Sequence, residues 1–148
     1  MTENKQYLEI QRLYLKDLSF ESPCMPEIFK QKWQPEVKLD LNMRNILLEN
    51  EIYEVELFVT VTAKMDDKVI FLAEVKQAGI FKISGFTEEQ RNHIIGAYCP
   101  NALFPYVREV ISSVISRASF PPLVLTPVNF DAIYAQELMH KQNEKKKQ

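Results

Sequence analysis

An α+β domain, with a four-stranded antiparallel sheet followed by C-terminal helices packed on one face, is the fold this sequence predicts. Three observations predict it. Alternation of apolar and polar residues dominates the first half of the chain; helical apolar spacing replaces it after Thr87; and Pro121, Pro122 and Pro127 divide the helical part in two. Strands in succession followed by helices in succession pack as a sheet with the helices segregated to one side.

Residues 7–21 read as a long strand. Alternation puts Leu13 and Leu15 on one face with Asp17, Ser19 and Glu21, and Tyr14, Leu18 and Phe20 on the other. Pro23 and Pro26 stop it, because proline donates nothing to a ladder. Residues 22–35 form a connector that carries Met25, Ile28, Phe29 and the single tryptophan, Trp33. Loops normally run through water, so large apolar groups there either pack over a core or line a site. Residues 36–44 form a half-buried strand with Val37, Leu39, Leu41 and Met43 on one face, and 45–50 a looser linker. Residues 52–64 alternate again from Tyr53 to Ala63, and Met65–Lys68 offers a hairpin turn. Residues 69–77 form the fourth strand, with Val69, Phe71, Ala73 and Val75 on one face and a continuation past Gly79 through Phe81 and Ile83.

Thr87 and Gln90 make a capping-box pair that starts a short helix, and Cys99–Pro100 is expected to end it. A second helix is expected from about Phe104, with Pro105 in its first turn, where a missing N–H is tolerated. Val107, Val110, Ile111, Val114 and Ile115 give it an apolar stripe. The prolines hold 120–128 extended, and Asn129 or Asp131 caps a last helix to about Lys141. The expected organisation is one domain over 1–148, ordered from about 7 to 141, with 142–148 a disordered polar tail.

Composition narrows the function classes. A chain of 148 residues buries roughly 70% of its unfolded surface and needs no disulfide or metal staple. A net charge of −2 gives no electrostatic case for nucleic acid. No apolar run is long enough to span a membrane, and the N-terminal stretch lacks the basic-then-apolar pattern of a signal peptide, so a cytoplasmic protein is expected. Cys24 and Cys99 are expected to be reduced structural thiols. Gly79, Gly85 and Gly96 are the only glycines, too sparse for a phosphate-cradling loop.

Catalytic chemistry finds little footing. His93, Cys99 and Cys24 are a conceivable zinc set but lack the CxxC or HxxxH spacing such sites use, and a Cys–His nucleophilic pair is conceivable but equally weak. Asp17, Glu21 and Glu74 make a conceivable acid–base set, yet carboxylates on open strands are more often a solvated face. No GxSxG sequence is present. The expectation is a protein that is not an enzyme and uses no cofactor and no metal.

Apolar surface is the stronger signal. Phe29 and Trp33, then Val37, Leu39 and Leu41, then Tyr134 and Leu138 form a candidate groove; the competing reading is that all seven are core. A groove of this kind accepts unfolded chain because apolar burial is non-directional. The sheet face away from the helices still shows Phe58, Ile70 and Leu72. Burying about 800 Å² of apolar surface is worth ~20 kcal/mol before association costs, so an oligomer is expected, joined through the sheet edge, the other face and the helices.

The order YLKDLSFESP, WQPEVKLDL, YEVELFVTVTA and YCPNALFPYVREVISSVISRASFPPLVLTPVNFDAIY resembles the SecB family of bacterial export chaperones from about Leu8 to about Leu138. The resemblance implies an ATP-independent holding chaperone for unfolded secretory precursors, assembled as a homotetramer that is a dimer of dimers. Its client groove would lie between the long connector and the last helix, at the seven residues above. It implies delivery to SecA, the translocation ATPase, through an acidic surface matched here by Asp17, Glu21, Leu72 and Glu74. Ala73, Val75 and Gln77 match positions that affect tetramer assembly. The chain departs from the family in being nearly neutral, in ending KQNEKKKQ rather than in acidic residues, and in placing Lys76 beside Glu74. Two rival readings remain: a scaffold or regulator that binds one folded partner, and a carrier of a small apolar ligand.

Overall fold

The computed structural model describes residues 5–146. Four strands, β1 (Tyr7–Glu21), β2 (Glu36–Glu49), β3 (Ile52–Met65) and β4 (Lys68–Ser84), precede α1 (Glu88–His93), α2 (Cys99–Arg117) and α3 (Phe130–Lys146). They form one antiparallel sheet in the order β1-β4-β3-β2, so β1 and β2 are its edges. The inner face carries Val59, Val61, Ala73, Val75 and Phe81, all fully buried. On it lies α2, with Leu103, Val107, Ile111 and Ile115 pointing inward. The expected α+β arrangement, with helices on one face, is the observed one.

Both hairpins are tight. Asp66 and Asp67 take positive φ angles of 51° and 63°, the geometry of a two-residue turn whose twist suits the flanking strands. β2 runs on to Glu49, where a linker over 45–50 was expected, because Asn45, Ile46 and Leu47 pair with Val55, Glu54 and Tyr53 of β3.

Two bulges correct the expected faces. Pairing between β1 and β4 steps from Leu15↔Gln77 to Asp17↔Lys76, leaving Lys16 as the extra residue. A bulge shifts every following side chain to the opposite face. Leu13 and Leu15 therefore lie on the inner face with Leu18 and Phe20, while Asp17, Ser19 and Glu21 lie on the open face with Tyr14. In β4, Ile70 is the extra residue between Val69↔Lys64 and Phe71↔Ala63. Val69 thus parts company with Phe71, and Ile70, expected on the exposed face, is buried.

The helices also depart from expectation. Thr87 and Gln90 make the capping box, with the Gln90 N–H donating to Thr87 Oγ1 at 3.2 Å and the Thr87 N–H to Gln90 Oε1 at 3.0 Å. Cys99–Pro100, however, does not end the helix. A wide π turn over Ile94–Tyr98 carries α1 into α2, and the Cys99 N–H reaches back five residues to the Ile94 carbonyl. The widened turn relieves the contact between a proline ring and the preceding carbonyls, so Pro100 sits in the first turn of α2. α2 accordingly starts at Cys99 rather than near Phe104, and Pro105 lies inside it. Asn129 caps α3, its Oδ1 accepting from the Ala132 N–H at 3.0 Å. α3 continues to Lys146, beyond the expected limit at Lys141; glutamate, glutamine and lysine are good helix formers. The last two residues of the expected polar tail, and the first four of the N-terminal stretch, lie outside the described residues.

Candidate functional site

The candidate groove begins at its floor. The inner faces of β3 and β4 are covered by α2, but β2, at the sheet edge, lies beyond its reach. The inner-face residues of β2, Val37, Leu39, Leu41 and Met43, are left partly open, with Val37 40% exposed. Two walls rise over this strip, one at each end.

The first wall is the connector. A 3₁₀ turn over Glu27–Lys30 buries Ile28 and turns Phe29 outward, 51% exposed. Phe120 fixes the wall to the sheet. Its ring centroid lies 4.9 Å from Trp33, 5.8 Å from Phe29 and 5.7 Å from Phe71 of β4. Trp33 is therefore held flat on a buried ring, not loose in a loop, and remains half-buried. Offset aromatic pairs of this kind add about 0.5–1.5 kcal/mol each beyond area burial.

The second wall is α3. Tyr134 packs on the π turn, where Gly96 leaves the necessary space, and its ring centroid lies 5.3 Å from that of His93. His93 Nε2 lies 2.8 Å from Asp131 Oδ1, a second tie at the start of α3. Phe130 is buried edge-on against Phe104. Between β2 and α3 runs a cleft of about 520 Å³, lined by Leu41, Met43, Tyr134 and Leu138, with polar Asn42, Arg44, Glu137 and Lys141 at its rim.

All seven groove residues read from the sequence thus lie around one strip of sheet: Phe29 and Trp33 at one end, Val37, Leu39 and Leu41 on the floor, Tyr134 and Leu138 at the other end. Sequence reasoning left out Met43, although alternation places it on the same face, and Phe120. The signal for Phe120 was an aromatic directly before two prolines, the one aromatic group in that segment able to anchor it.

The second candidate surface is the open face. Register places Asp17 opposite Lys76, Ser19 opposite Glu74 and Glu21 opposite Leu72. Asp17, Glu21, Leu72 and Glu74 are therefore four neighbours on one face at one end of the sheet. None of the three carboxylates makes an ion pair among the described residues.

Further along the same face, Lys16 and Tyr14 reach from β1 over β4 to Glu54 and Glu56 of β3. Ala78 of β4 lies between Tyr14 and Glu56 in register, and its short side chain leaves them room. The hydrogen bond from Tyr14, helped by Lys16 and working against burial, holds the Glu54 carboxyl below the usual carboxylate range. The hydrogen bond to Glu56 leads in raising Lys16, and burial followed by the bond to Glu54 raises the Tyr14 phenol.

Ala73, Val75 and Gln77 alternate with this surface and face the other way. They lie beneath α2, with Gln77 only 4% exposed. The remaining candidate chemistry is not brought together. Among the described residues no cluster of three histidine, cysteine, aspartate or glutamate side chains is placed to hold a metal ion, so His93, Cys99 and Cys24 form no ligand set. Both cysteines are free, and burial pushes the Cys99 thiol up to about 12, the opposite of what a nucleophile needs. No helix among the described residues is long and apolar enough to cross a membrane.

Comparison with known proteins adds independent findings. The family model for SecB, preprotein translocase subunit, matches residues 1–141. A protein-export protein SecB from Ectopseudomonas mendocina is 54% identical over 141 residues, 95% of this chain and 87% of the relative. One from Pseudomonas fluorescens is 55% identical over 135 residues, 91% of this chain and 85% of the relative. Among solved structures, the Mycobacterium tuberculosis Rv1957 SecB-like chaperone in complex with a ChAD peptide from the HigA1 antitoxin superposes with a TM-score of 0.65. It shares 17% identity, covering 82% of this chain and 87% of that one, a likeness of fold.

Proposed function

The chain belongs to the SecB family and is a non-enzymatic chaperone for preprotein translocation; from that premise we propose that it holds unfolded precursors, without ATP, along the strip of β2 between Trp33 and Tyr134. The observation that carries the reading is an inner-face edge strand whose apolar residues its own helices leave uncovered. An extended client segment lying there buries apolar side chains whatever their order, and the free edge of β2 offers main-chain pairing beside it. Apolar contact supplies affinity without readout of one sequence, which suits many clients.

The same reading makes the chain a cytoplasmic homotetramer, a dimer of dimers. On the inner face, Ile10, Leu15 and Leu18 of β1 lie beyond the cover of α2 and stay exposed, and the main-chain edge of β1 is unpaired. A second copy would cover both. Several grooves on one particle then engage one long client, and avidity exceeds single-site affinity. Ala73, Val75 and Gln77 act on assembly by shaping the sheet under α2, since in this protomer they have no surface to offer a neighbour.

The open face is the docking surface for SecA. Three unpaired carboxylates, Asp17, Glu21 and Glu74, attract a basic segment and set its orientation, and Leu72 adds apolar contact.

Trp33→Ala combined with Leu39→Ser is expected to weaken binding of an unfolded precursor at least tenfold, read by suppression of aggregation in light scattering without ATP. The assembled mass should stay that of the wild type. Undiminished holdase activity in this double variant would exclude the groove. Glu21→Lys or Glu74→Lys is expected to impair SecA binding and spare client binding; titrations with normal SecA affinity in both would remove the docking surface.

A further inference from the structure

Lys76 stands at the centre of the open face with a choice of partners. Its register partner on β1 is Asp17, its register partner on β3 is Phe58, and Glu74 precedes it by two residues on the same face. Directly opposed residues on one face bring their Cβ atoms within about 5 Å, so the lysine can reach either side. A lysine opposite an aspartate ordinarily drifts toward it. Here the ammonium lies over the Phe58 ring, 5.8 Å from its centroid, and makes no ion pair with Asp17 or Glu74. A cation over an exposed ring and an exposed ion pair are of similar strength, so the ring is enough to decide the position.

The geometry points to Phe58 as a positioning residue: by drawing Lys76 toward β3, it keeps the lysine from neutralising Asp17 and Glu74, and so sets the affinity of the open face for a basic partner segment. This rests on the docking role of that face given above. The surroundings favour it. Asn42, the β2 partner of Phe58, is uncharged, and the nearest carboxylates on β3, Glu54 and Glu56, are already engaged by Tyr14 and Lys16. Asp40 of β2, diagonal to Phe58 in register, already pairs with Lys38, so no free acid on the β3 side competes for Lys76, and the docking acids, Asp17 and Glu21 on β1 and Glu74 on β4, remain free for a partner.

The test is a two-residue cycle on the full chain, with SecA as the ligand, measured by calorimetric titration at several salt concentrations. Phe58→Leu keeps apolar cover but removes the ring's quadrupole, and frees Lys76 to turn toward Asp17. SecA affinity should fall about three- to tenfold, with a shallower salt dependence because Lys76 then pairs with Asp17 at contact distance and weakens its pull on a partner cation. Adding Lys76→Gln to Phe58→Leu should restore wild-type affinity, and Lys76→Gln alone should change it less than twofold. Rescue separates this role from a merely structural one, since a sheet damaged by losing Phe58 would not be repaired at Lys76. A Phe58→Leu variant that binds as well as wild type, or one that is weakened and not rescued, overturns the inference. So does a large gain from Lys76→Gln alone. Glu21→Lys and Glu74→Lys in the same series distinguish the levels: if both bind SecA normally, the docking role itself fails; if either loses binding while Phe58→Leu does not, only the positioning role fails.

Discussion

Gly96 shows how much one missing side chain can decide. A Cβ built there would meet Tyr134 Cδ2 at 2.5 Å and Cε2 at 2.9 Å, contact that only a shift of the ring or the helix behind it relieves. Glycine costs a helical segment about 1 kcal/mol relative to alanine, and overpacking a seated ring costs about 1–3 kcal/mol. The clash therefore outweighs the propensity gain. Gly96→Ala is expected to loosen α3 from the π turn while leaving the sheet unchanged, seen as faster amide exchange confined to about 130–138. Protection equal to wild type there would show that α3 is held by Phe130 and the His93–Asp131 tie alone. Tyr134 and Leu138 were legible in sequence as apolar positions near the C-terminus; the notch that seats Tyr134 was not, because a glycine in an otherwise helical stretch does not announce its neighbour.

Elements are tied together by contacts that skip a strand. Tyr14 and Lys16 of β1 hold Glu54 and Glu56 of β3 across β4, and the Lys16 bulge is what aims its amine at them. The sign of the pH dependence follows from Glu54. Its carboxyl is held below its unfolded value of about 4.3, so this stabilisation is present above that value and is lost as pH falls through the folded one. Glu54→Gln should therefore be less stable than wild type in urea unfolding at pH 7, with the gap narrowing as the pH drops below about 4. A gap constant from pH 7 to pH 3 would remove the ionic contribution. β3 was legible to within a residue, and β2 from its start to Arg44, because one apolar face and one polar face leave a single register; the end of β2, to Glu49, was read as linker. β1 was legible as a strand but not in its faces: apolar residues occur on both sides of it, so nothing in the pattern marks where one residue drops out of the ladder. The expected helix stop at Cys99–Pro100 failed because proline forbids the regular α turn and not the wider one.

At the scale of the whole molecule, the unfinished surfaces define the protein. α2 covers β3 and β4, leaving the inner faces of both edge strands open: β2 with Val37, Leu39 and Leu41, β1 with Ile10, Leu15 and Leu18. One strip takes clients in the proposed scheme and the other takes a second copy. Since Leu15 and Leu18 are substantially exposed in the protomer, replacing both with lysine costs its fold little. The Leu15→Lys, Leu18→Lys variant should give a lower mass by light scattering coupled to size exclusion, with an unchanged far-ultraviolet dichroism spectrum. An unaltered mass would place the contacts between copies elsewhere.

The sequence by itself determined the four strands, the change to helix at Thr87, a cap for α3 at Asn129 or Asp131 and the family to which the chain belongs, because periodicity, capping and residue order are local properties. Only the tertiary structure decided which faces those strands present, that Phe120 bridges Trp33 to Phe71, that Asp17, Glu21, Leu72 and Glu74 adjoin one another, and that Lys76 leans on Phe58. Each of these depends on register, and register is settled by which strands pair and where a residue is skipped, a competition among distant segments that no local pattern records.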